Sequence, residues 1–356
     1  MNEPLSSDPV DRLLLDEADA ALTGADVVAV VDDVSGLLAC SAARRHPQLA
    51  VRVVCDSLLA EQAVRREAAE LGLDDRLTVV DSVAAAVAGA SVLLLRLPKS
   101  VAALDEIAAA AAGAAAGQLQ LFAGGRVKHM TRAMNDVLAQ HFGRVGASLG
   151  RQKSRVLRAS DPRPVGEARW PQRRQHEDLG LVVCAHGAAF AGAGIDHGTR
   201  LLLSVLDEVP PSASRVIDVG CGTGVLACCL ARARPRAQVL AIDESSAACR
   251  SATETAAANQ LTERVTVLRA DGLREVPSQS ADLILCNPPF HRGTSRDSST
   301  ALQMIADAGR VLAPGGEMWT VFNSHLPYRG ELRREVGPTE IVRQDPGYSV
   351  ARTRRR

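Results

Sequence analysis

Three observations predict an α/β protein of two tandem, Rossmann-like doubly wound sheets, the first a degenerate copy of the second. The first is an internal repeat. VSGLLACSAARRHPQLAVRVVCDS (Val34 to Ser57) aligns without a gap to GTGVLACCLARARPRAQVLAIDES (Gly222 to Ser245), 188 residues downstream. The offset carries on from LDDRLTVV to LTERVTVL and, with a small shift, from ASVLLLRLPK (Ala90 to Lys99) to ADLILCNPPF (Ala281 to Phe290). A repeat of this period is a whole domain, not a solenoid unit. The second observation is that each copy alternates short β-branched runs with helical stretches, the mark of βαβ units and a parallel sheet. The third is that the apolar frame is shared while the turns differ.

In the second copy, strands are expected at 215–219, 238–243, 265–269, 283–286 and 317–322, with a last strand at 348–353. Helices begin near Val225, Ser245 and Thr300. Right-handed crossovers then wind the sheet on both faces. The expected domains are 1–150 and 181–356, joined by a basic, Pro- and Arg-rich linker at 151–180. From Arg144 to His176 nine Lys/Arg stand against only Asp161 and Glu167, and the tail ARTRRR adds four arginines. Such a stretch is either a solvated linker or a surface that contacts phosphates.

A chain of 356 residues can bury two cores, and 46% apolar with 23% charged residues is ordinary globular composition. A formal net charge of zero argues neither for nor against nucleic acid. No apolar run approaches the roughly 20 residues that span a bilayer, and the polar, acidic start lacks the pattern of a signal peptide. A cytoplasmic protein without a membrane partner is therefore expected. The eight cysteines form no CxxC pair and read as small buried apolar residues. With His186, His197 and His325 showing no ligand spacing, no metal is expected.

The chemistry is expected at the C-terminal strand ends of the second copy, where doubly wound sheets bind ligands. Gly220-Cys221-Gly222-Thr223-Gly224 follows a strand ending in Asp218-Val219 and precedes a helix. Glycines permit a sharp turn and close approach of a ligand to backbone, and the helix N-terminus offers unpaired N–H groups. Asp243, at the end of the next strand, can accept from both hydroxyls of a ribose, and Asp271-Gly272 after the third strand is placed to meet an adenine edge. Loop and acid suit NAD and S-adenosylmethionine equally, and the absence of GK[ST] excludes a P-loop.

The stretch Asn287-Pro288-Pro289-Phe290 separates the two. A strand that stops at two residues unable to donate presents acceptors rigidly: the Asn287 side-chain oxygen and the Pro288 carbonyl. Two acceptors suit an exocyclic NH₂ group, and Phe290 can stack on the ring that bears it. Both hydrogens held in this way redirect the amine lone pair towards an electrophilic methyl, which the sulfonium of S-adenosylmethionine carries. In the first copy the same places hold DDVSG (Asp32 to Gly36), Cys55 and Arg96-Leu97-Pro98-Lys99. Every candidate ligand residue is expected to be lost there.

At these residues the second half resembles class I S-adenosylmethionine-dependent methyltransferases with an N-P-P-[FY] motif. More closely, it is similar to the bacterial ribosomal-RNA guanine-N2 methyltransferases. The resemblance is carried by AAFAGAGIDHGTRLLL (Ala188 to Leu203), DVGCGTG, CNPPFHRG and WTVFNSHLPY (Trp319 to Tyr328). That family also has two tandem methyltransferase-like domains, the first degenerate. The resemblance implies methyl transfer from S-adenosylmethionine to the N2 amine of a guanine in 16S or 23S ribosomal RNA, as naked RNA or within a subunit. It implies that Asp218, Gly220, Gly222, Asp243 and Asp271 hold the cofactor, and that Asn287, Pro288, Pro289 and Phe290 hold a flipped guanine. Only 3% aromatic residues leave few stacking platforms, so RNA contact would lean on arginines and the first domain. Adenine N6, a protein glutamine amide, and a non-catalytic RNA-binding assembly factor remain as alternatives.

Overall fold

Each copy of the repeat folds around its own sheet in a computed structural model of the chain. The structure describes residues 6–163, 166, 169–288 and 295–356, the side chains of 295–300 excepted. The chain divides into two units, Met1–Trp170 and Pro171–Arg356. The first contains α1 (Pro9–Thr23), β1 (Val27–Val31), α2 (Leu37–Arg45), β2 (Ala50–Val54), α3 (Leu58–Glu70), β3 (Leu77–Val79) and α4 (Val83–Val87). It continues with β4 (Val92–Arg96), α5 (Val101–Ala114), β5 (Gln120–Arg126), α6 (Arg132–His141), β6 (Phe142–Ala147) and β7 (Ser154–Pro162). The second opens with β8 (Gln172–His176), β9 (Leu181–Ala185), α7 (His197–Leu203), β10 (Arg215–Val219), α8 (Val225–Ala233), β11 (Gln238–Asp243) and α9 (Ser246–Ala258). It ends with β12 (Val265–Arg269), β13 (Ala281–Cys286), α10 (Ser295–Val311), β14 (Leu312–Asn323), α11 (Tyr328–Glu335), β15 (Thr339–Gln344) and β16 (Tyr348–Arg354).

The two large sheets have the same topology, β3-β2-β1-β4-β5-β7-β6 and β12-β11-β10-β13-β14-β16-β15. The first five strands of each order run parallel; the next, β7 or β16, runs against them, and the outermost, β6 or β15, pairs antiparallel with it and so shares the direction of the five. Side chains alternate across each strand, so successive residues feed opposite layers. Val28 and Val30 of β1 join one buried cluster while Ala29 and Val31 join another. On β10, Val216 and Ile217 divide in the same way. Strands buried on both faces explain the near-continuous apolar runs in the sequence. Among the described residues no helix is long and apolar enough to cross a membrane.

The segment 151–180 differs from the expected linker. Its first part is β7, a strand paired on both sides in the first sheet. Val156, Leu157 and Ala159 are buried there while Arg155 and Arg158 are exposed. Of the basic residues that suggested a linker, Arg155 and Arg158 are the wet positions of this packed strand. Several are already ion-paired, Arg144 to Asp161 at 3.0 Å, Arg151 to Asp16 and Arg158 to Glu17. Trp170 donates from Nε1 to Asp105 Oδ2 at 3.0 Å, and the other oxygen of Asp105 meets His141 Nε2 at 2.7 Å. That latch ends the first unit. Residues 172–185 form a hairpin of the second, fixed to α9 by Cys184 N–H donating to Thr255 Oγ1 and His186 N–H to Ser251 Oγ.

Candidate active site

Strand register brings the expected residues together. Val219 on β10 is level with Ile242 on β11 and with Cys286 on β13. The next residues along the three strands are Gly220, Asp243 and Asn287, side by side at the C-terminal edge. β10 is also where the strand order reverses, with earlier crossovers on one side and later ones on the other, the usual ligand position of such sheets.

The glycine loop is fixed by backbone. Gly220 and Cys221 both donate to the Ile242 carbonyl, at 2.8 and 2.9 Å. Gly222 N–H donates to Asp243 Oδ2 at 3.0 Å, and Ser245 N–H to Asp243 Oδ1 at 3.0 Å. Gly220 and Gly222 take φ of +72° and +53°, the left-handed region that glycine enters without penalty. A Cβ on Gly222 would meet nothing within 4 Å, so the turn faces open space. Cys221 and Thr223 alternate with it and are buried. Asp271 and Gly272 follow β12; Asp271 pairs with Arg274 at 3.1 Å, and Gly272 has φ of +59°.

Asp218 lies beneath the loop, fully buried, and its Oδ2 accepts from Ala227 N–H in the first turn of α8 at 2.9 Å. Its Oδ1 has no hydrogen-bond partner among the described residues. Burial pushes this carboxyl up from 3.8 to about 7. The folded protein therefore keeps a proton that the unfolded chain releases from about pH 4 upward. The stability this proton gives is full below about pH 4 and is lost as pH rises through about 7. Asp218→Asn should remove that slope. Thermal unfolding without cofactor should find the variant level with wild type at pH 4 and more stable at pH 8 by on the order of 2 kcal/mol. Parallel pH profiles would show that Asp218 is not the titrating group. An open glycine turn, a carboxylate at the next strand end and an unpartnered buried oxygen below fit S-adenosylmethionine.

Asn287 closes the site. Its Nδ2 donates to Asp196 Oδ1 at 3.1 Å and to Thr199 Oγ1 at 2.9 Å, which leaves the amide oxygen as the end turned away from these partners. Its backbone carbonyl would lie 3.8 Å from a Cβ on Gly220, so the motif and the loop are neighbours. Pro288 is buried. Pro289, Phe290 and His291 lie outside the described residues. Sequence reasoning assigned no role to Asp196 or Thr199, although both stand in the quoted GIDHGTR. The repeat held the signal: Asp8 and Asp11 lie 188 residues before them.

In the first copy, Val31 is level with Val54 and Leu95, so the matching row is Asp32, Cys55 and Arg96. Asp32 keeps the left-handed turn, with φ of +60°, and its carboxylate accepts from Asp56 N–H at 3.0 Å. Arg96 pairs with Asp8 at 3.2 Å and with Asp11. The row is closed by its own side chains. One expectation needs correction: Gly224 is not lost, because Gly36 occupies its place. Each is the left-handed residue before a helix, with φ of +76° and +82°. A Cβ would press to 3.0 Å on Ala252 in one and 2.8 Å on Val64 in the other. Close helix packing calls for this glycine in both copies.

Comparison with known proteins divides the chain at the same place. Residues 180–352 match the family described as Methyltransferase small domain, and residues 4–163 the RLMG N-terminal domain. The ribosomal RNA large subunit methyltransferase G of Stutzerimonas stutzeri is 36% identical, covering 99% of this chain and 94% of that protein. The protein of that name from Streptomyces avermitilis is 34% identical over 99% of each. Among solved structures, a T. thermophilus 16S rRNA N2 methyltransferase (RsmC) in complex with AdoMet and guanosine superposes with a TM-score of 0.78 at 20% identity. It covers 99% of this chain and 93% of that one. At that identity the likeness establishes the fold: two tandem methyltransferase-like domains.

Proposed function

We propose, given that this chain belongs to the ribosomal RNA large subunit methyltransferase G family, that it methylates the exocyclic N2 amine of one guanine in large-subunit ribosomal RNA. The observation that carries the reading is the meeting of the Asn287 corner with the Gly220–Gly224 loop at one edge of the sheet. Bound S-adenosylmethionine supplies an electrophilic methyl. Asp243 and the Gly220–Gly222 turn hold the nucleoside end of that cofactor, with Asp271 and Gly272 at its base. Asp218 supports the loop from below.

Asn287 Oδ1 and the Pro288 carbonyl each accept one hydrogen of the guanine amine, and Phe290 stacks on its ring. That pair of bonds pulls the nitrogen out of conjugation and points its lone pair at the methyl, so orientation supplies most of the acceleration. No general base is assigned, because the amine becomes acidic only after attack, when water can take its proton. The guanine must leave its helix to be reached. A protein with this substrate works in the cytoplasm.

Mass spectrometry of ribosomal RNA from a strain lacking the protein tests this. One N2-methylguanosine should vanish from 23S RNA and return with wild type but not with Asn287→Ala. Loss from 16S RNA would move the target to the small subunit, and no loss from either would end the reading. RNA binding should involve the edge strand β8, where Arg173 and Arg174 are exposed. Replacing both with alanine should weaken binding and lower the slope of log K against log salt by roughly 1.5. An unchanged slope would remove β8 from the interface.

A further inference from the structure

We propose that Asp196 and Thr199 are positioning residues that hold the Asn287 amide in one of its two orientations, so that oxygen rather than nitrogen meets the incoming amine. The inference rests on the guanine-N2 reading for the identity of that amine. The clamp itself is argued from the contacts alone.

An asparagine amide is nearly symmetric in shape, and a half-turn about its last bond exchanges an acceptor for two donors. Turned the wrong way, Asn287 would offer hydrogens to a group that has only hydrogens to give. Something must choose between the two. Asp196 Oδ1, 3.1 Å from Nδ2, belongs to a carboxylate that only accepts. A turned amide would set two acceptor oxygens against each other there. Thr199 Oγ1 accepts from Nδ2 at 2.9 Å as well; a hydroxyl can serve either orientation, so the carboxylate makes the choice and Thr199 adds a second bond to the nitrogen it selects. Asp196 cannot swing aside, because the same Oδ1 caps α7 by accepting Thr199 N–H at 3.1 Å. Between them, a Cβ on Gly198 would stand 3.2 Å from Asp196 Oδ1 and 3.3 Å from Asn287 Oδ1. The room beside the amide exists because residue 198 has no side chain.

The first copy gives an independent view of the same contact. Asp8 caps α1 by accepting Val10 N–H at 2.8 Å, and Arg96, in the place of Asn287, pairs with Asp8 and with Asp11. There the strand end is a pure donor consumed by two acids. In the second copy a threonine replaces the second acid and an amide replaces the guanidinium. The contact keeps its position, and its far end changes from nothing to an acceptor.

The test uses the full chain with Asp196→Asn, Thr199→Val and Thr199→Ser. The Asp196→Asn change keeps the size of the side chain but weakens the one oxygen that both caps α7 and holds Asn287 Nδ2, and by giving up the cap its amide nitrogen can serve a turned Asn287. Valine keeps the shape of threonine without its oxygen, and serine restores that oxygen. For Asp196→Asn and Thr199→Val, kcat on ribosomal RNA should fall about tenfold or more. KM for RNA and Kd for S-adenosylmethionine should stay within a few fold, and Thr199→Ser should approach wild type. A second readout needs no substrate: NMR of protein labelled with ¹⁵N-asparagine, the Asn287 side-chain signal being assigned by its absence in Asn287→Ala. In wild type its hydrogens should exchange slowly, and in Thr199→Val they should shift and exchange faster. Signals unchanged in both Asp196→Asn and Thr199→Val overturn the clamp, as does a changed signal with unchanged kcat. If wild type methylates no guanine N2, the functional reading falls and the NMR result still decides the clamp.

Discussion

Asn287→Ala should lower methyl transfer to RNA by roughly 10²–10³, the usual loss when one preorganised polar group at a reacting centre is removed. Affinity for S-adenosylmethionine should remain within a few fold. The split follows from what each part of the site holds. The glycine loop is tied down by the Ile242 carbonyl and by Asp243, contacts in which the Asn287 side chain has no share. The part of Asn287 that lies beside Gly220 is its backbone carbonyl, which alanine retains. Single-turnover transfer of labelled methyl and calorimetry of cofactor binding measure the two terms separately. A variant that kept full rate would remove the amine-holding role from this corner. One that lost cofactor affinity in proportion would make Asn287 part of the cofactor pocket instead.

How far this site could be read from the chain depended on which residues repeat. The 188-residue offset carries element starts almost unchanged: α2 begins at Leu37 and α8 at Val225, α3 at Leu58 and α9 at Ser246. It also places Asp32 and Cys55 opposite Gly220 and Asp243. What it did not reveal has physical reasons. The partner of Asn287 is 91 residues away, at the start of α7, a helix of seven residues too short to carry a clear periodic signal. β7 was hidden because arginine at its exposed positions resembles a solvated linker, and only packing exposes Val156 and Leu157 as core. The reversed direction of β16, between β14 and β15, leaves no local mark, since strand direction is set by the connection and not by composition. The residues 289–294, which include Phe290, lie beyond what the structure describes, so stacking on the guanine rests on the motif.

Gly224→Ala and Gly222→Ala should separate packing from ligand binding within a single loop. At Gly224, alanine would have to adopt φ of +76° and also press within 3.0 Å of Ala252 on α9. Backbone strain of about 1–3 kcal/mol and overpacking of similar size act together. The second domain should lose about 2–4 kcal/mol, or roughly 5–15 °C in unfolding midpoint. Gly36→Ala should do the same to the first domain, where Val64 backbone would lie 2.8 Å from the new methyl. Gly222 has the left-handed turn without the collision, since nothing lies within 4 Å of its Cβ position. Its alanine variant should fold with a loss of about 1 kcal/mol, while the methyl, projecting into the open space proposed for the cofactor, should weaken binding of S-adenosylmethionine tenfold or more. Differential scanning calorimetry with and without S-adenosylmethionine distinguishes the cases. If Gly36→Ala left the first domain's stability intact, the shared glycine would not be a packing residue, and its presence in the degenerate copy would need another cause.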